Sequence, residues 1–172
     1  MTAGTLTLPS DREIVMHREF NAPARVVFDV WTKPEHVRKW YGVRQTTVTV
    51  CDIDLRVGGS WRWVIAKPNG MEIAFSGVFL EIDPPHRLQR TEVFEAMPGA
   101  GCVVTQTFDE TDGRTLHTMT MLFESKEHRD ICLQSGMEKG VEECYSNIDA
   151  LLAAIEAVSS IPPQPPASSL PA

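Results

Sequence analysis

The segment from about Ser125 to Val158 constrains this chain most, because it carries a helical apolar stripe and follows a long tract of short alternating strands. On a helical wheel Leu133, Met137, Val141, Cys144, Tyr145, Ile148, Leu151, Leu152 and Ile155 share one face, and Lys139, Glu142, Glu143, Ser146 and Asp149 share the other. Such a helix must lie on something apolar. Gln134 falls inside the stripe, and Gly136 and Gly140 sit near its edge in mid-helix, each costing about 1 kcal/mol relative to Ala. The pattern predicts a single long helix covering a sheet, with a cavity beneath it.

The sheet is read from the rest of the chain. From Glu13 to Phe20 the residues Ile14, Met16, Arg18 and Phe20 alternate with Val15, His17 and Glu19, which predicts a first strand with one mostly apolar face. Pro23 and the spacing Val26, Val27, Val30, Trp31 predict a helix, and Pro34 starts a second short one ending near Trp40. Turn-forming clusters then separate six strand-like runs at about 46–54, 60–66, 72–82, 87–95, 102–109 and 114–123. The fold class expected is α+β, with a seven-stranded curved antiparallel sheet wrapped around the final helix. Residues 1–11 are expected to be flexible, 12–158 to form the domain, and the Pro/Ser-rich stretch 159–172 to be disordered or polyproline-like.

Composition narrows the function. The chain has 172 residues, enough for one domain with a sizeable core that needs no metal or disulfide. A net charge of -7 with no cluster of Lys and Arg argues against nucleic acid as a partner. No apolar run is long enough to span a membrane, no secretory leader is visible, and four scattered cysteines without a C-x-x-C read as reduced thiols, so the expected location is cytoplasmic. Nucleophile-elbow, phosphate-loop, dinucleotide and H-E-x-x-H signatures are all missing. The five histidines show no ligand spacing, so neither a metal nor another cofactor is expected.

Four stretches, taken in order, resemble one family. They are Arg38-Lys39-Trp40-Tyr41-Gly42, Asp54 through Trp63, Gly77 through Pro85 with Arg87-Leu88, and Ser135 through Gly140. Together they are similar to the SRPBCC superfamily, in the branch named after the activator of heat-shock-protein-90 ATPase, over about residues 12–156. The resemblance implies the helix-grip fold, in which sheet and last helix enclose a deep, mostly apolar cavity. It implies no single reaction, since the superfamily holds lipid carriers, hormone receptors and polyketide cyclases.

Candidate site residues follow from strand parity and ring chemistry. His117, Met119, Met121 and Phe123 share the face expected to meet the helix. There His117 is either a pocket group able to orient a carbonyl or shuttle a proton, or a core histidine bonded to a neighbouring carbonyl, or a residue at a strand end near water. Arg90 and Glu92 share a face with Leu88 and Phe94. If that face is inner, the charges need each other or a ligand; if outer, they are an ordinary surface pair. Trp40, Trp61, Trp63, Phe75, Phe79 and Tyr145 are either core packing or a wall for a planar or acyl ligand, with the Tyr145 hydroxyl and Gln134 amide orienting it. Met137 and Val141 line the inner stripe, and Trp40-Tyr41-Gly42 is placed at the rim as part of a gate. The expected function is a cytosolic protein, monomer or homodimer, binding a small hydrophobic molecule between sheet and helix. A cofactor-independent cyclase or dehydratase using His117, Glu92 or Arg90 is the alternative. An interaction module acting on the chaperone ATPase is a third reading.

Overall fold

Alternation along the strands builds the molecule, by turning every second side chain to a common inner face that the helices then cover. The computed structural model describes residues 4–162. Its elements are β1 (Thr5–Thr7), β2 (Glu13–Phe20), α1 (Ala24–Thr32), α2 (Pro34–Trp40), β3 (Thr47–Ile53), β4 (Ser60–Ala66), β5 (Glu72–Asp83) and β6 (Arg87–Phe94), followed by β7 (Cys102–Thr111), β8 (Arg114–Phe123), α3 (Lys126–Gln134) and α4 (Met137–Ser159). The strands form one sheet in the order β1-β2-β8-β7-β6-β5-β4-β3, with every neighbouring pair antiparallel. The inner face carries Ile14, Met16, Phe20, Trp61, Trp63, Leu88, Val104, Phe108, Met119 and Met121, all buried. Against it lie Val27, Phe28 and Trp31 of α1 and Tyr145, Ile148 and Leu152 of α4. Among the described residues no helix is long and apolar enough to cross a membrane.

The α+β class and the antiparallel sheet with its C-terminal helix are as expected, with three differences. First, the sheet has eight strands, because β1 lies in the stretch expected to be flexible and pairs with β2 through Thr5↔His17, Leu6↔Met16 and Thr7↔Val15. Half-buried Leu6 packs on the core, and the Arg129 guanidinium donates to the Ser10 carbonyl at 2.8 Å, so the lead is tied down at two points.

Second, the long helix is broken into α3 and α4 at Ser135-Gly136. Gly136 takes φ +82°, a left-handed conformation that ends α3 and lets α4 start in a new direction. A wheel records spacing and is blind to that change of φ. Third, α4 runs to Ser159, one residue into the stretch expected to be disordered, and residues 163–172 of that tail lie outside the described residues.

Candidate functional site

Glycine at position 77 begins the site. A side chain there would collide with the Thr91 carbonyl of β6, so only glycine lets β5 and β6 approach this closely. The close approach allows the Trp61 indole N–H to donate to that same carbonyl at 3.1 Å. Thr91 faces outward, its hydroxyl accepting from the Val78 N–H at 2.9 Å, and its two neighbours in sequence, Arg90 and Glu92, both turn inward. The outer-face reading of this pair is excluded: Arg90 is 3% exposed, on the same face as Leu88.

Arg90 lies over two rings. Its guanidinium carbon is 4.4 Å from the Trp61 ring centre and 4.8 Å from that of Trp63. Such contacts contribute up to about 2 kcal/mol each when desolvated. Arg90 Nη2 donates to Glu92 Oε2 at 3.1 Å, whereas its buried Nε–H has no acceptor in the protein. The Trp63 indole N–H is a second buried donor without an acceptor. Burying an ion costs several kcal/mol even when paired, so this placement is unfavourable for a purely structural interior.

Glu92 is the part-exposed member of the pair, and its charge is felt around it. Burial and then the Glu92 carboxylate raise the pKa values of the Tyr41 phenol and the Cys102 thiol, and push Cys132 up to about 11. These three groups, from the end of α2, from β7 and from α3, therefore stay protonated around Glu92. Half-buried Phe75 packs on Phe94 at 5.3 Å on the same inner face. Leu133, Met137 and Val141 at the α3–α4 junction are also only half-buried. The result is an ion pair and aromatic wall at the end of the interior where apolar groups are incompletely covered.

Tyr41 is positioned by α4. Asn147 Nδ2 donates to the Trp40 carbonyl at 3.1 Å, the Cys144 thiol points at the Gly42 carbonyl at 3.7 Å, and the Arg44 N–H donates to Glu143 at 2.9 Å. The Tyr41 ring lies 4.8 Å from Trp63 on one side. On the other it lines a polar cleft of about 290 Å³ with Arg38, Lys39, Thr46 and Asn147. Trp40 is not at the rim as expected; it is a core residue, its N–H donating to the Val30 carbonyl at 2.8 Å and its ring 4.6 Å from Trp31.

The other predicted residues divide between wall, packed core and surface. Trp61, Trp63, Phe79, Met119 and Met121 are buried on the inner face. His117 is fully buried and stacked on Trp31 at 4.8 Å, with Nε2 3.1 Å from the Gln106 amide nitrogen. Its burial, then Arg90 and His17, push its pKa down to about 3, which keeps the ring neutral at physiological pH. Its partner is a side-chain amide instead of the expected carbonyl. Tyr145 is also fully buried, its hydroxyl without a partner, in contact with Phe20 at 5.7 Å and under the Arg18 guanidinium. Gln134 does not enter the interior. It is exposed on a surface groove with Lys126, Glu127, Asp130 and Ile131, because the break at Gly136 ends the stripe's continuity just beyond it.

Two inward polar groups were not singled out from sequence. Gln106 lies between Val104 and Phe108 in the inner alternation of β7 and is fully buried. Arg18 on β2 pairs with Asp149 and, at 3.6 Å, with Glu142, so two α4 residues expected in solvent turn to meet it. Parity locates Gln106 and Arg18; no sequence signal locates the partners of Arg18. Among the described residues no three of His, Cys, Asp and Glu come together as a metal site.

A family model described as activator of Hsp90 ATPase homolog 1-like protein matches residues 21–153. The chain belongs to that family. Its architecture is the family's helix grip, as solved structures show. A protein from Rhodobacter sphaeroides superposes with a TM-score of 0.84 at 27% identity, over 89% of this chain and 99% of the other. One from Mycobacterium smegmatis gives 0.78 at 26% identity, over 88% and 97%. An AHSA1-like protein from Aeromonas hydrophila gives 0.67 at 21% identity, over 81% and 93%, which bears on the fold alone. No curated protein matches significantly.

Proposed function

We propose that this family member is a cytosolic binding protein for a small hydrophobic molecule, seated on the inner face of β4, β5 and β6 beneath the α3–α4 junction. The observation that carries the reading is Arg90. It is enclosed by indoles and paired once, with a donor left over, beside apolar groups that the helices do not fully cover. A concave apolar wall with a few convergent polar groups is the usual build of a small-molecule site. Tyr41, between the polar cleft and Trp63, stands where such a molecule would enter.

Proton-transfer chemistry of the cyclase kind would have to use Arg90 and Glu92. His117 serves it poorly, being a weak base with its pKa pushed down to about 3, fully buried and stacked on Trp31. Native mass spectrometry of the protein purified from its own host tests the binding reading. A reproducible added mass that disappears in Val141→Trp is expected. An unadorned protein that also fails to bind any apolar probe would refute it.

A further inference from the structure

We propose that Glu92 sets the charge of the molecule bound beside Arg90, so that the site takes a neutral carbonyl compound with a planar apolar body and rejects the matching carboxylate. This rests on the ligand-binding reading above and names the ligand class for it.

Two features of the pair lead there. The first is an excess of donors. A guanidinium has five N–H groups and no acceptor, and Arg90 makes one side-chain hydrogen bond, to Glu92, with its buried Nε–H unmatched. A ligand oxygen that only accepts would satisfy what the protein leaves open, and leaving such a donor unmatched is costly. A hydrocarbon offers no such atom.

The second feature is that the charge is already balanced. Arg90 and Glu92 cancel, and the ionisable groups around them are kept uncharged: Tyr41, Cys102 and Cys132 protonated, His117 neutral. The carboxylate of Glu92 contributes to holding all three acids in their neutral forms. A carboxyl group on a ligand would enter the same field, adding a second negative charge next to Glu92 in a desolvated place. A ketone, ester or amide oxygen takes the free Arg90 donors without that penalty. The half-buried rings of Phe75 and Phe94 suit a flat body against them.

The test uses the full chain and three naphthalenes of nearly equal shape: methyl naphthyl ketone, naphthoate and isopropenyl naphthalene, titrated by calorimetry. The ketone should bind at least about tenfold more tightly than either of the others, since like charges juxtaposed in an interface are strongly unfavourable. In Glu92→Gln the gap between ketone and naphthoate should close. Arg90 then lacks its counter-charge, and naphthoate should gain at least about tenfold while the ketone changes little. Equal binding of ketone and naphthoate to the parent protein would overturn the charge rule, and that comparison needs no variant to fold. A folded Glu92→Gln protein that gains nothing for naphthoate would also overturn it. Isopropenyl naphthalene binding as well as the ketone would overturn the acceptor requirement while leaving an apolar site standing. If none of the three binds, the ligand-binding reading itself falls.

Discussion

Along α4, Tyr145, Ile148 and Leu152 are sunk among packed rings, whereas Met137 and Val141, on the same stripe, stay half-exposed. The interior beneath the two ends differs in the same way. Under the C-terminal part, Phe20, Phe28, Phe108 and His117 are each 4% exposed or less, with Phe28 on Phe108 at 5.4 Å and Phe108 on His117 at 5.2 Å. Under the N-terminal part the groups left over are half-buried Phe75, Phe94 and Glu92, beside an arginine lying over indoles. One end is a hydrophobic core and the other is incompletely covered. The difference teaches that one apolar stripe closes a core along part of its length and leaves it incompletely covered along the rest, although both parts belong to the single helix that starts after the turn at Gly136.

If this division is correct, equal truncations should have unequal costs. Phe108→Ala, in the closed end, should lower stability by about 4 kcal/mol in denaturant unfolding, because it removes a ring from close-packed surroundings. Ile148→Trp should cost about 3 kcal/mol or prevent folding, as overpacking a tight core does. A mild effect of either would mean that the closed end is looser than its burial indicates.

The third effect depends on pH. The folded-state pKa of His117, about 3, lies below its ordinary value of 6.5, so below pH 6.5 the unfolded chain binds a proton that the folded chain refuses. Its contribution is complete above about pH 6.5 and is lost as pH falls toward about 3, at up to about 1.4 kcal/mol per unit, or about 2 kcal/mol by about pH 5. Thermal unfolding of His117→Gln against the parent across this range should show a flatter acid limb for the variant. Parallel curves would place water beside His117 and contradict the closed end.

The open end should be forgiving. Phe75→Ala should cost about 1 kcal/mol, well under Phe108→Ala, since a half-exposed ring loses less on truncation. Val141→Trp should cost less than about 1 kcal/mol while abolishing ligand binding, because the new ring occupies uncovered space. A Val141→Trp protein as unstable as Ile148→Trp would erase the distinction between the two ends.

The parts of this picture legible beforehand are those governed by local period. Trp61 and Trp63 could be turned inward and Arg62 outward from alternation alone, and Arg62 indeed pairs with Glu95 on the outer face at 2.8 Å. The six strands after Thr46 and the two short helices were readable from their turns and prolines. Arg90 and Glu92 were not resolved by the same rule, because Gln89, Thr91 and Val93 on the opposite face give no stronger contrast. What decides the matter is register: Arg90 pairs with Phe79 and with Val104, both inner-face residues, a match between strands that one strand's own pattern does not carry. Gln134 was misplaced for a similar reason: its spacing fits the stripe, and only the backbone turn at Gly136 takes it out. The pairing of Arg18 with Asp149 spans 131 residues and is set by how α4 crosses β2.

The most direct test of the two-ended interior is methyl NMR of the full chain during titration with methyl naphthyl ketone. Saturable shifts are expected at Met137 and Val141, with the methyls of Val27 and Ile148 unmoved. Shifts confined to Val27 and Ile148, or spread evenly over all four, would contradict it.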